Sequence, residues 1–181
     1  MKLKVKTNGF YKIGGNTLVN KFVEFLKITS YLNEAGITPM LIGSLGLEYL
    51  TQKDWDARDI DIHVPGDPRG WEAPDNVRIY NWTIICTIMK KLGYQLIDLH
   101  EHEFSNRLFS VDFGVLDTLP KSTGIPLDKL ELKDEHEAKF FLPSEEQYLK
   151  IYTSSFQDSY RAEKNNYKDL NKIQYLKSIV Y

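Results

Sequence analysis

The chain has 181 residues, 42% of them hydrophobic, and a formal net charge of −2. That suits one globular domain, or a domain with a helical appendage, and excludes a disordered chain or a long basic nucleic-acid track, though not a local basic patch. Cys86 is the only cysteine, so an internal disulfide is excluded and a reducing compartment fits. Residues 1–15 carry positive charge without an apolar run long enough for a signal peptide. No stretch approaches the roughly 20 apolar residues of a membrane span, so a cytoplasmic protein without a membrane partner is expected.

A first helix is predicted over residues 17–34, with Asn16 as its cap, Val19, Phe22, Val23 and Leu26 as its apolar stripe, and Gly36 as its stop. Pro39 introduces a short apolar strand, MLI. Gly43 and Ser44 follow at once, and SLGLEYLTQ reads as a second helix. The next strand is RDIDIHV, residues 58–64. Strand side chains alternate between faces, so Asp59 and Asp61 share one face while Ile60, Ile62 and Val64 take the other.

The proline- and glycine-rich PGDPRGWEAPD is a loop. A third helix is predicted from Asp75 or Asn76, carrying Ile85, Ile88, Met89 and Leu92 and stopped by Gly93. Two strands follow, YQLIDLHEHEF and RLFSVDFGVL, joined as a hairpin at Ser105-Asn106. On the second, Phe109, Val111, Phe113 and Val115 define the core face and Asp112 lies on the opposite one. AKFFL is a further candidate strand. PSEEQ then opens a helix, with Ser144 as N-cap and Gln147 completing a capping box. Tyr148, Leu149, Tyr152 and Phe156 form its apolar side. A last helix is predicted over residues 163–179, with Leu170, Ile173 and Leu176 inward. The pattern is α/β with a helical tail.

Three aspartates on adjacent strands repel one another unless a cation neutralises them. Oxygen ligands of this kind select magnesium or manganese, and a pair of such ions assists displacement at phosphorus. Gly43-Ser44 supplies the complement, because a glycine at a strand-to-helix turn lets a phosphate approach unpaired backbone N–H groups and the serine hydroxyl donates to it.

In this order and context, LIGS, DIDI and VDFGV resemble the nucleotidyltransferase superfamily, which includes minimal nucleotidyltransferases and small antibiotic nucleotidyltransferases. The resemblance covers residues 38–115. It implies a nucleotidyltransferase-like mixed sheet flanked by helices, with residues 1–142 as catalytic domain and 143–181 as a helical extension packed on it. It also implies transfer of a nucleoside monophosphate from an NTP to an acceptor hydroxyl. Gly43 and Ser44 would then hold the triphosphate, Asp59 and Asp61 the metal ions, and Asp112 a metal ion and the acceptor's proton. Lys150 would be the helical lysine facing the phosphates, and Arg161, Lys168 and Asp169 would match an Arg…Lys-Asp signature. The segment between Ser44 and Asp59 is at the long end of the family's spacing.

Other features have blander readings. His100 and His102 invite a zinc site but lack a partner pair, so a polar strand face is preferred. His63 shares the aspartates' face as a neighbour. Lys164, Lys168 and Lys172 form a stripe read as solvated, opposite Leu170. Trp71 is a loop anchor or a base-stacking residue, and Cys86 is packed core. The near-neutral charge favours a small-molecule acceptor, with a tRNA end or a protein side chain left open. A homodimer completing the acceptor pocket is compatible with so short a chain. The competing function is a non-catalytic nucleotide-binding or protein-interaction module of the same fold, in a defence or toxin–antitoxin role.

Overall fold

The computed structural model describes residues 10–13, 17–157 and 168–181. Strands β1 (Phe10–Ile13) and β2 (Thr17–Asn20) pair antiparallel ahead of the main body. Residues 17–20 were expected to begin the first helix. Instead α1 spans Lys21–Glu34, and its cap is Asn20, whose side chain accepts from Phe22 N at 2.8 Å and Val23 N at 3.4 Å. Asn16 lies outside the described residues. The buried face of α1 is Phe25, Ile28, Thr29 and Leu32; of the predicted stripe, Phe22 and Leu26 pack half-buried against the core, Val19 belongs to β2 and Val23 is 56% exposed.

The main sheet has seven strands in the order β5-β6-β7-β4-β3-β9-β8. These are β3 (Met40–Ile42), β4 (Ile60–Val64), β5 (Gln95–Asp98), β6 (Glu103–Ser105), β7 (Ser110–Val115), β8 (Glu131–Glu135) and β9 (Ala138–Leu142). The central β4 and β7 run parallel, and β4 is antiparallel to β3. Ile60, Ile62 and Val64 of β4, with Val111, Phe113 and Val115 of β7, are buried as their alternation predicts. The predicted first arm, YQLIDLHEHEF, is not one strand but the pair β5 and β6, bent back by a turn over residues 99–102. The hairpin after Ser105 is as expected, and Asn106 Oδ1 fastens it by accepting from Leu108 N and Phe109 N.

Helix α2 (Gly43–Thr51) starts directly from β3. The predicted third helix is divided into α3 (Asp75–Arg78) and α4 (Trp82–Lys91), because Asn81 takes a left-handed φ of 57° between them. Ile85, Ile88 and Met89 are buried as expected. A short α5 (Leu119–Thr123) precedes β8, a strand absent from the sequence-based expectation. Helix α6 (Glu145–Gln157) starts with the expected capping box: Ser144 N donates to Gln147 Oε1 at 2.9 Å and Gln147 N to Ser144 Oγ at 3.3 Å.

The final helix α7 (Lys168–Val180) buries Asp169, Lys172, Ile173 and Leu176. Leu170, expected inward, is 37% exposed, and Lys172, expected in solvent, is buried. The helix is turned relative to the sequence reading, and this brings a lysine to the site described next. Arg161 and Lys164 lie outside the described residues. Among the described residues, no helix is long and apolar enough to cross a membrane.

Candidate active site

Strand pairing sets the geometry. Ile42 of β3 opposes Asp61 of β4, Asp61 opposes Asp112 of β7, and Asp112 opposes Glu103 of β6. Paired residues share a face, so these strands present one row, an isoleucine and then three carboxylates, with Asp98 of β5 opposing Glu103 at its far end. Asp59 lies just before β4, two residues from Asp61 and more open to solvent. Glu103 is the member that sequence reasoning missed. It also accepts from Ser110 Oγ at 2.8 Å.

The electrostatics reflect this crowding. Burial, followed by the charges of Asp61, Asp59, Glu103 and Glu101, pushes the Asp112 carboxyl up to about 7. Asp59 is raised by partial burial of its carboxyl and by Glu103, against the lowering influence of Lys21, Arg58 and Lys168.

The turn at Gly43 abuts this row. Gly43 has φ +69°, and a Cβ there would overlap Asp61 Oδ2 and stand 2.7 Å from Asp61 Cγ. Only glycine gives both the backbone conformation and the clearance. One row further along, a Cβ on Gly114 would overlap His63 Nε2, so that glycine makes room for the imidazole. His63 therefore borders the row, as expected of a neighbour on that face. The start of α2 has Ile42 at its cap position and no side-chain hydrogen bond there. Its first N–H groups are the kind that receive anions.

Lys172 supplies the positive charge. Its Nζ donates to Ser44 Oγ at 2.8 Å, lies 3.3 Å from Asp169 Oδ1 and sits 4.9 Å from the centre of the Tyr152 ring. A buried ammonium is tolerated where a carboxylate, a hydroxyl and a ring face surround it in this way. Lys150, the expected phosphate-facing lysine, is not brought here. It is half-exposed and pairs with Glu146 at 3.1 Å, lining a separate groove with Ser122, Lys177 and Tyr181. Of the Arg…Lys-Asp signature, Lys168 is exposed and Asp169 contacts Lys172.

The long segment between Ser44 and Asp59 helps to dock α7. Glu48 Oε1 accepts from Trp55 N and Ala57 N, both at 3.0 Å, and Trp55 Nε1 donates to Thr51 Oγ1 at 3.0 Å. Trp55 meets Tyr175 of α7 edge-on, ring centres 5.1 Å apart, with Lys53 Nζ over both rings.

Compared with known proteins, the chain is 32% identical over 166 residues to the uncharacterized protein YnaI of Bacillus subtilis (strain 168), an alignment spanning 90% of this chain and 97% of YnaI. The chain belongs to the YnaI family. No protein-family model matches it. Its fold is that of the nucleotidyltransferases. The solution structure of antibiotic-resistance factor ANT(2'')-Ia superposes with a TM-score of 0.52 at 13% identity, covering 90% of this chain and 92% of that one. The crystal structure of an antigenic nucleotidyltransferase-like protein from Paracoccidioides brasiliensis gives 0.55 at 15% identity, covering 85% and 73%.

Among the described residues, no three His, Cys, Asp or Glu side chains close around a metal ion by themselves. The aspartates of this YnaI-family chain are thus not a ready-made three-ligand cage. An all-oxygen row with one carboxyl held near 7 still fits a hard divalent ion, since magnesium commonly takes one or two carboxylates and completes its shell with phosphate and water. His100 and His102 do not share a strand face. His100 is exposed in the β5–β6 turn, 3.0 Å from Asp75, while His102 is buried with Nε2 bonded to Asp75 O at 2.8 Å. Trp71 lies under the Arg78 guanidinium at 4.4 Å, as a loop anchor does, and Cys86 packs half-buried against the core with its thiol pushed up by burial.

Proposed function

We propose that this protein is a nucleotidyltransferase that moves a nucleoside monophosphate from an NTP to an acceptor hydroxyl and releases pyrophosphate. The observation that carries the reading is the row Asp61–Asp112–Glu103 set against a helix start whose glycine has no room for a side chain. Anionic ligands and an anion-receiving turn side by side suit a metal-bound phosphate chain lying across both.

Magnesium or manganese held by Asp61 and Asp112, with Asp59 at the margin, would neutralise the row and the charge developing on the attacking and leaving oxygens. The N–H groups at the start of α2 suit the triphosphate. Lys172 donates to Ser44 Oγ, which sets the ammonium charge beside the start of α2, where a phosphate would lie. Asp112 takes the acceptor's proton as the acceptor oxygen bonds to the α-phosphorus. The bond from that phosphorus to the bridging oxygen breaks, and pyrophosphate leaves. The near-neutral charge and the fold shared with an antibiotic-resistance factor favour a small hydroxyl compound as acceptor.

The deciding experiment incubates the protein with each α-labelled NTP, manganese and cell extract, then identifies what becomes labelled. A labelled product with pyrophosphate, lost in Asp61→Asn, supports the reading and separates small-molecule, tRNA and protein acceptors. A second reading is a nucleotide-binding member of the same fold without chemistry. That protein would show a metal-dependent rise in melting temperature with NTP and release no pyrophosphate.

A further inference from the structure

The free edge of the sheet at β5 differs from its opposite edge. At β8 the strand reads ELKDE, so charged side chains protect it, as edges commonly are. At β5 every residue is exposed and the centre is apolar: Leu96 is 42% and Ile97 58% exposed, and Leu99 follows at 41%. Leu108, from the neighbouring hairpin, adds a side chain 54% exposed. Most of the exposed large hydrophobic side chains among the described residues fall between residues 71 and 108. An unpaired strand edge with exposed apolar side chains marks an interaction site.

The charges around it have a direction. Lys90 lies in the last turn of α4, just before β5, and Arg107 in the hairpin turn after Ser105, which pairs with Gln95, while Lys91 is taken up by the Tyr31 ring of α1. These place positive charge at the Gln95 end. Asp98 and Glu101 place negative charge at the other end. Such an edge is complementary to itself when reversed.

The geometry points to a second copy of this chain as the occupant, with β5 pairing antiparallel to β5 about a two-fold axis. Gln95 then faces the partner's Asp98, and Leu96 faces the partner's Ile97. The basic end of each copy meets the acidic end of the other, and the apolar centre is covered. Residue 97 lies at a register shift between Leu96 and Asp98. A bulge there twists the edge, which disfavours indiscriminate strand addition and leaves the choice of partner to side chains. A two-fold pairing is also closed: it uses up the edge on both copies and does not propagate.

Sedimentation velocity of the full chain across the micromolar range tests this. The wild type is expected to be a dimer that weakens as salt rises. Ile97→Lys, on an exposed side chain, is expected to raise the dimer dissociation constant at least about tenfold with the far-ultraviolet circular dichroism unchanged. Should that variant fail to fold, the pair Lys90→Glu with Arg107→Glu must weaken the dimer at low salt. A wild type that stays monomeric across the range, or a dimer that survives the folded variants, overturns the proposal.

Discussion

Replacing Asp112 with asparagine is expected to stabilise the metal-free protein at alkaline pH while abolishing transfer. The carboxyl stands at about 7 in the fold, against 3.8 for an unhindered group. Its folded pKa is raised, so its favourable contribution is complete below pH 4 and is lost as pH rises through 7. Above pH 7 the fold carries the full cost of an ionised carboxylate beside Asp61, Asp59 and Glu103. Three pH units correspond to at most about 4 kcal/mol. Residue 112 is only half-buried, and solvent screening reduces this to about 1–2 kcal/mol. For a chain of this size that is roughly 3–6 °C in melting temperature.

The assay is a set of melting curves for wild type and Asp112→Asn in chelator from pH 5 to pH 8.5. Other titrating groups are common to both proteins, so the difference between the curves isolates residue 112. The variant should gain on the wild type as pH rises through 7, and manganese at pH 8 should raise the wild type alone. A gap that does not change with pH, or a variant less stable at pH 8 than at pH 5 relative to wild type, would refute the account of a carboxylate confined among like charges.

Gly43→Ala must accommodate a Cβ that overlaps Asp61 Oδ2 at a left-handed φ, so a loss of about 2 kcal/mol or more in urea unfolding is expected, together with loss of NTP binding. Lys172→Met keeps the apolar stem but removes the ammonium from Ser44. The KM for NTP should rise at least about tenfold, the scale of a single charge-assisted hydrogen bond, while the sheet stays folded by circular dichroism. Trp55→Ala should lower stability by about 2 kcal/mol, half of the usual range for a buried aromatic because Trp55 is only partly covered. It should also weaken NTP binding without touching the nucleotide, because Trp55 holds the helix that delivers Lys172.

The part of the site carried by strand alternation was legible in the sequence. Asp61 and Asp112 stand on faces opposite Ile60, Ile62 and Val111, Phe113, and a period of two leaves no other arrangement once the apolar side is core. Glu103 escaped because HEHEF continued an apparently unbroken strand. The turn over residues 99–102, with His102 at a positive φ of 53°, has no glycine or proline to announce it. Lys172 escaped for a different reason. Lysines at i, i+4 and i+8 look like a solvated stripe, yet Asp169, Lys172, Ile173 and Leu176 form a competing stripe at i, i+3, i+4 and i+7, and tertiary burial selected that one. An aspartate three residues before a lysine on the same stripe as two aliphatic side chains was the available signal. At the amino end the cap expected at Asn16 is Asn20 instead, because residues 17–20 pair as β2 with β1 before the helix begins.

Ser44 and Lys172 are 128 positions apart in the chain. Synthesis runs at roughly 5–20 residues per second, so several seconds separate the emergence of Asp112 from that of Lys172. During that interval Ser44 is without the ammonium that later meets its hydroxyl. The last helix is therefore the element that completes this pairing, and a chain stopped before it leaves the serine hydroxyl without its cationic partner.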